Sequence, residues 1–219
     1  MNELVKALKN FVVRDIIYII GGSSVIVSFL YLFNKTDIHG KEIHTAIYIL
    51  IAGLAYIIGY CIQDTASWIH IVTTASFFKP WRSLIWFYER FLHRKWKPIF
   101  SDIEGEDRRN KILERLDQAE LIIQEKVSLD NKTERERIIS LMHMGTTMGP
   151  CSFVSGILLL IKAFVDGNCT FRFNITLAVS VLIISGLMIV LAWIKALELM
   201  KNTEGLYNSY KNHRFREYD

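Results

Sequence analysis

Histidines and carboxylates lie close together at one place in the sequence where they could bind a metal ion or exchange a proton. Asp37, His39, Glu42 and His44 fall within eight residues. Imidazole and carboxylate groups at this spacing can ligate a transition metal, and histidine can titrate near neutral pH. A short, charge-balanced turn exposed to solvent has the same composition, and we favour that interpretation.

A second acidic cluster precedes a predicted helix. Glu104, Glu106 and Asp107 could act in catalysis or hold a metal, but no histidine lies nearby in sequence. Carboxylates in the first turn of a helix ordinarily complement its dipole. The sequence also has no glycine-rich phosphate loop, no nucleophile elbow and no paired-cysteine metal signature. We therefore predict a protein that is not an enzyme and uses no metal or cofactor.

Apolar residues are concentrated in runs long enough to cross a bilayer. Of the 219 residues, 51% are hydrophobic, which is high for a soluble domain. The runs cover residues 16–33, 45–62, 138–165 and 175–194. The third run exceeds one perpendicular span, so its first half is predicted to project from the membrane as a helix. The fold class predicted is all-α, a bundle of four transmembrane helices.

Lysine and arginine are distributed unevenly along the chain. Twenty-two of the 26 lie before the first run, between the second and third, or after the fourth, whereas the two short connecting loops carry three. Because basic loops stay in the cytoplasm, both termini and the central segment are predicted to be cytoplasmic. The predicted organisation is spans one and two in 1–65, a cytoplasmic helical region in 66–140, and spans three and four with a cytoplasmic tail in 141–219.

Aromatic and basic residues share one predicted helix that begins near Pro80. An aromatic face beside a basic face suits a helix lying in the membrane interface, with rings among the headgroups and cations against anionic lipid. The same rings could instead pack against neighbouring helices, and amphipathicity does not distinguish the two. The predicted interfacial residues are Trp81, Trp86, Phe91, Arg94 and Trp96.

A helical hairpin is predicted between this segment and the third run. Residues 106–127 are rich in helix formers, and one apolar stripe contains Ile112, Leu116, Ala119 and Ile123. Residues 128–131 break the helix, and a second helix then continues into the third span. Because arginine is enriched at binding hot spots, Arg108 and Arg115 are predicted to belong to a docking surface for a soluble partner.

Small residues form a smooth face on the third span. Gly145, Gly149, Ser152 and Gly156 recur at helical spacing. Such a face lets helix backbones approach closely in lipid. The contact could lie within one chain or between the chains of a homo-oligomer.

Lys162 is the ionisable residue expected within an apolar run. It lies four residues before Asp166, so it can pair with that aspartate or extend toward the membrane surface. No charge is expected at the membrane midplane, which disfavours an ion or proton pump.

Over its whole length, the chain resembles the membrane subunit of Kiwa-type bacterial antiviral defence systems in size and topology. The residues that carry the resemblance are Arg14-Asp15 ahead of Gly21-Gly22 in the first span, and Lys79-Pro80-Trp81 in the long insert. The resemblance implies an oligomeric inner-membrane protein, such as a tetramer, that contacts lipids, senses envelope disturbance and recruits a soluble DNA-binding effector. The net charge of +4 gives no reason to expect direct nucleic-acid binding by this chain.

The alternative function is a pore-forming effector or small channel. Thr146, Thr147 and Ser152 would then line a path between subunits. The absence of a charged ring or selectivity element in the sequence counts against this alternative.

Overall fold

The computed structural model describes residues 2–33, 45–69, 72, 107–126, 129–166 and 171–216. These residues form five α-helices and no strand. The helices are α1 (Asn2–Leu32), α2 (Thr45–Trp68), α3 (Arg108–Lys126), α4 (Leu129–Asp166) and α5 (Phe171–Arg216). The prediction of an all-α fold is confirmed.

Four of these helices are long and apolar enough to cross a membrane. The windows are Arg14–Leu32, Ile47–Trp68, Thr133–Asp166 and Phe171–Tyr210. A helix satisfies its own backbone hydrogen bonds, which is what a segment in hydrocarbon requires. The architecture is therefore that of a multi-pass membrane protein.

Three helices continue beyond the apolar runs. α1 already begins at Asn2, so the basic lead-in is helical, and α2 continues to Trp68, past the end of the apolar run at residue 62. α5 continues to Arg216 and includes the predicted tail. α4 passes through Pro150 without interruption and joins the second helix of the hairpin to the third span, as the sequence indicated.

The chain divides into two compact units. The first comprises Met1–Val72 and Met142–Ala192, and the second comprises Thr73–Leu141 and Trp193–Asp219. In the first unit α1, α2 and the apolar parts of α4 and α5 pack together. The apolar window of α4 is 44% buried, against 28% for α1 and 17% each for α2 and α5. α4 is accordingly the central helix of the spanning bundle.

The second unit contains α3, the beginning of α4 and the end of α5. Its core is formed by the predicted stripe of α3, in which Ile112, Leu116 and Ala119 are buried. The side chain of Ile123 lies outside the described residues. Buried side chains from the other two segments complete this core: Ile138, Trp193, Ala196, Leu197, Leu199 and Met200. The C-terminal segment is thus a structural part of the unit.

Candidate functional site

Three glycines of α4 lie directly against α5. A β-carbon at Gly145 would come 2.6 Å from the carbonyl oxygen of Met188, and one at Gly149 would come 2.7 Å from Cγ1 of Ile189. At Gly156 it would come 2.7 Å from Leu182. A larger residue at Gly145 would collide with the backbone of α5, and one at Gly149 or Gly156 would have to displace the side chain of Ile189 or Leu182. The small-residue face therefore contacts α5 within the same chain, while Ser152 is half-buried.

α1 approaches α2 in the same way. A β-carbon at Gly22 would collide with the backbone of Ala55, and one at Gly59 would collide with the carbonyl oxygen of Tyr18. Beside this contact the Tyr18 ring meets the ring of Tyr56 edge-on, with centroids 5.5 Å apart. The two spans are held by van der Waals contact between backbones and by aromatic packing.

Short hydrogen bonds connect α4 to each of the other spans. Thr147 donates to the side-chain oxygen of Gln63 on α2 at 3.2 Å, and the hydroxyls of Ser155 and Ser24 on α1 lie 3.2 Å apart. Ser185 on α5 donates to the backbone oxygen of Gly149 at 2.8 Å. The polar groups are matched to one another inside the bundle, as burial in an apolar medium requires.

The threonines expected to line a pore are enclosed by their own chain. Thr146 and Thr147 are both buried. The Thr146 hydroxyl donates to the backbone oxygen of His143, and the Thr147 hydroxyl donates to the side-chain oxygen of Gln63. The Thr147 hydroxyl therefore joins α4 to α2, and the Thr146 hydroxyl is used in a bond within α4.

A buried cation joins three helices at one end of the spanning unit. Lys162 of α4 is 1% exposed. Its ammonium group lies 2.8 Å from the carboxylate of Asp166, 3.5 Å from the backbone oxygen of Leu32, and 5.4 Å from the centre of the Tyr31 ring. Of the two outcomes expected for Lys162, the structure therefore has the ion pair. The Leu32 oxygen belongs to the last residue of α1, where a cation complements the helix dipole.

Asn174 of α5 contacts the same group of side chains. The cluster consists of Lys162, Asp166, Tyr31 and Asn174. The Asn174 amide nitrogen donates to Asp166 at 3.3 Å, and its oxygen accepts from the Tyr31 hydroxyl at 2.9 Å. Asn174 is fully buried. The sequence signal for the cluster was the i, i+4 spacing of Lys162 and Asp166, whereas nothing local marked Tyr31 and Asn174 as their partners.

A second charged network stabilises the other unit. Arg115 of α3 lies 2.7 Å from the carboxylate of Glu204 on α5, donates to Asn208 at 2.8 Å, and stacks over the Tyr207 ring at 5.2 Å. Both charged side chains are largely buried. The docking role of Arg115 stays a prediction, and charge reversal there would break an internal ion pair.

The outward face of α3 carries other polar side chains. Asn110, Lys111, Glu114, Asp117 and Gln118 are all exposed, on the side opposite the buried stripe. Arg108 lies in the first turn of α3, but its side chain is outside the described residues.

Several predicted site residues also fall outside the described part of the chain. They are the interfacial residues Trp81, Trp86, Phe91, Arg94 and Trp96, and the histidine and acidic residues of segment 37–44. These assignments stay predictions. Asp107 is described, and its carboxylate accepts a hydrogen bond from Asn110, as expected for a helix start.

We expect leucine at Gly149 and Gly156 to loosen α4 from α5, because each side chain would displace Ile189 or Leu182. Overpacking of this kind costs about 1–3 kcal/mol per site. Gly53 and Gly186 provide matched controls, since nothing lies within 4 Å of a β-carbon at either position. Thermal unfolding in detergent should show a lower midpoint for Gly149→Leu and Gly156→Leu than for Gly53→Leu and Gly186→Leu. Equal midpoints would mean that α4 and α5 do not pack through this face.

The Lys162–Asp166 pair should show strong energetic coupling because its lysine is withdrawn from solvent. In a double-mutant cycle with Lys162→Met and Asp166→Asn, we expect a coupling of about 1–3 kcal/mol. The control pair, Lys195–Glu198, is partly exposed, with its glutamate side chain 44% accessible. Its coupling should stay below about 1 kcal/mol. Equal coupling in the two cycles, measured by unfolding in detergent, would contradict a stabilising role for the cluster.

Comparison with known proteins identifies no relative of this chain. Within the described residues, no group of three or more histidine, cysteine, aspartate or glutamate side chains could hold a metal ion. No protein-family model, no curated protein and no solved structure matches the chain.

Proposed function

We propose that this protein is a non-enzymatic membrane anchor that presents a helical docking unit to a soluble protein. In the setting that the Kiwa-type resemblance implies, it is the oligomeric sensor of a bacterial antiviral defence complex, and the soluble protein is a DNA-binding effector. The chain itself contacts lipids and its own copies, and the effector contacts nucleic acid.

The observation that best supports this proposal is that α3 has one buried apolar side and one exposed polar side. One side buries Ile112, Leu116 and Ala119, whereas the opposite side exposes a row of charged and amide groups. Hydrogen-bonding side chains on a helix are suited to polar recognition, because the helix already fixes the backbone positions from which they extend. Spanning the membrane requires no such unit, which favours a role in binding another protein.

Internal bonding makes the docking unit rigid. The Arg115–Glu204 pair connects α3 to α5, and Arg135 donates to the Thr203 hydroxyl at 2.6 Å between α4 and α5. Thr203 donates in turn to the backbone oxygen of Leu199. These bonds support a surface whose shape is set before a partner arrives. The use of the Thr146 and Thr147 hydroxyls in bonds within the chain likewise favours an anchor over a pore.

Orientation follows from charge. Basic residues are concentrated on the side of the termini and the central segment, so the docking unit is proposed to face the cytoplasm. A bacterial inner membrane would then hold the unit where an effector bound to cytoplasmic DNA can reach it.

Charge reversal on the outward face of α3 should weaken recruitment. We expect Glu114→Lys with Asp117→Lys to lower capture of a co-expressed candidate DNA-binding effector by about tenfold or more, since mismatched charges slow and weaken association. Glu134→Lys with Arg137→Glu is the control, because these side chains are 54% and 74% exposed on α4 of the same unit.

The experiment is a pull-down from cells that co-express both proteins, combined with phage plaque counts. A reporter fused after Asp219 checks that membrane insertion and a cytoplasmic C-terminus are retained. Undiminished capture and protection with the α3 variant would rule out this face as the docking surface. Loss with the control variant as well would show that recognition is not specific to α3.

A further inference from the structure

An apolar cleft opens on the surface of the spanning unit between α2, α4 and α5. Its volume is about 380 Å³, and α2 contributes Cys61 and Thr65 to its wall, together with Ile69 directly after the helix. α4 contributes Pro150 and Phe153, and α5 contributes Ile189. A space of this size lies in the range of sites that bind small molecules, about 300–1,000 Å³.

The chemistry of the wall selects an apolar occupant. Cys61 and Thr65 carry its polar side-chain groups, and the Thr65 hydroxyl already donates to the backbone oxygen of Cys61 at 2.8 Å. A water molecule needs two to four polar partners to be stable in a cavity. This wall does not provide them, so neither water nor a polar ligand is suited to the cleft.

The position of the cleft identifies the apolar molecules that reach it. Its α2 wall lies at the end of a membrane-spanning window that closes at Trp68, whose side chain is 81% exposed. Exposed tryptophan at the end of a spanning helix marks the level of the lipid headgroups. Phe153, across the cleft on α4, is 48% exposed. The cleft therefore opens on the exposed surface of membrane-spanning windows, close to the end of the α2 window.

We infer that the cleft binds one acyl chain of a membrane phospholipid, through the half of the chain nearest the glycerol. Three properties together favour this occupant: an apolar wall without available polar groups, an opening on membrane-spanning windows, and an exposed tryptophan at the end of the α2 window. The inference does not depend on the proposed recruitment function.

The test uses the full-length protein in phosphatidylcholine nanodiscs. A trace of the lipid carries a photoreactive diazirine in the half of one acyl chain nearest the glycerol. After illumination, mass spectrometry maps the labelled residues. We expect adducts to concentrate on both the α2 and the α4 wall of the cleft. Cys61→Phe with Thr65→Phe should fill the cleft from exposed positions that lie one helical turn apart, and should reduce these adducts by about tenfold.

Leu50→Phe with Leu54→Phe is the matched control, since both leucines are exposed on α2 and neither contributes to the cleft. It should leave the labelling unchanged. Adducts spread evenly over the exposed face of α2, or unaffected by filling the cleft, would overturn the inference. A second copy of the chain is the other candidate occupant. If a bis-maleimide joins two chains through Cys61 and no lipid adducts form, a second copy fills the cleft and the inference is overturned.

Discussion

The spanning unit depends on the close approach of helix backbones at glycine. Between two apolar helices in lipid there is no hydrophobic gain from association, because the surrounding chains are as apolar as the side chains. Stability must then come from packing density and from hydrogen bonds. Gly145 meets this requirement by allowing α4 to contact the backbone of α5, and Gly149 and Gly156 leave room for the side chains of Ile189 and Leu182.

Hydrogen bonds fix the orientation of the packed helices relative to one another. Ser185 reaches the backbone oxygen of Gly149, a bond that is possible because the neighbouring backbone is so close. Thr147 and Ser155 fix α4 relative to α2 and α1 in turn. Lys162 then connects α4 to the end of α1, and Asp166 reaches α5 through Asn174. Every spanning helix is thus tied to α4.

The sequence predicts the parts of the structure that depend on local pattern. Apolar runs predict the four spanning helices, and helical spacing predicts the stripe of Ile112, Leu116 and Ala119. Glycine spacing indicates a packing face on α4 but does not identify α5 as its partner, because a small-residue face suits contacts within or between chains equally.

Contacts between distant residues account for what the sequence did not reveal. The C-terminal segment looks polar because Thr203 and Glu204 interrupt its apolar positions, yet both side chains are buried. Their burial depends on Arg135 and Arg115, which lie far away in sequence. The burial of Arg115 in an ion pair was likewise not predictable, since a charged residue on a helix gives no local indication of a partner across the unit.

The central claim is that α4 packs against the other spans of its own chain, and a disulfide tests it most directly. The hydroxyls of Ser24 and Ser155 lie 3.2 Å apart, so cysteines at these positions should meet the distance requirement of a disulfide. In a background with Cys61, Cys151 and Cys169 replaced by alanine, Ser24→Cys with Ser155→Cys should oxidise within one chain. The protein should stay monomeric on a denaturing gel and lose its reactive thiols. A covalent dimer, or thiols that stay fully reactive after oxidation, would contradict the account.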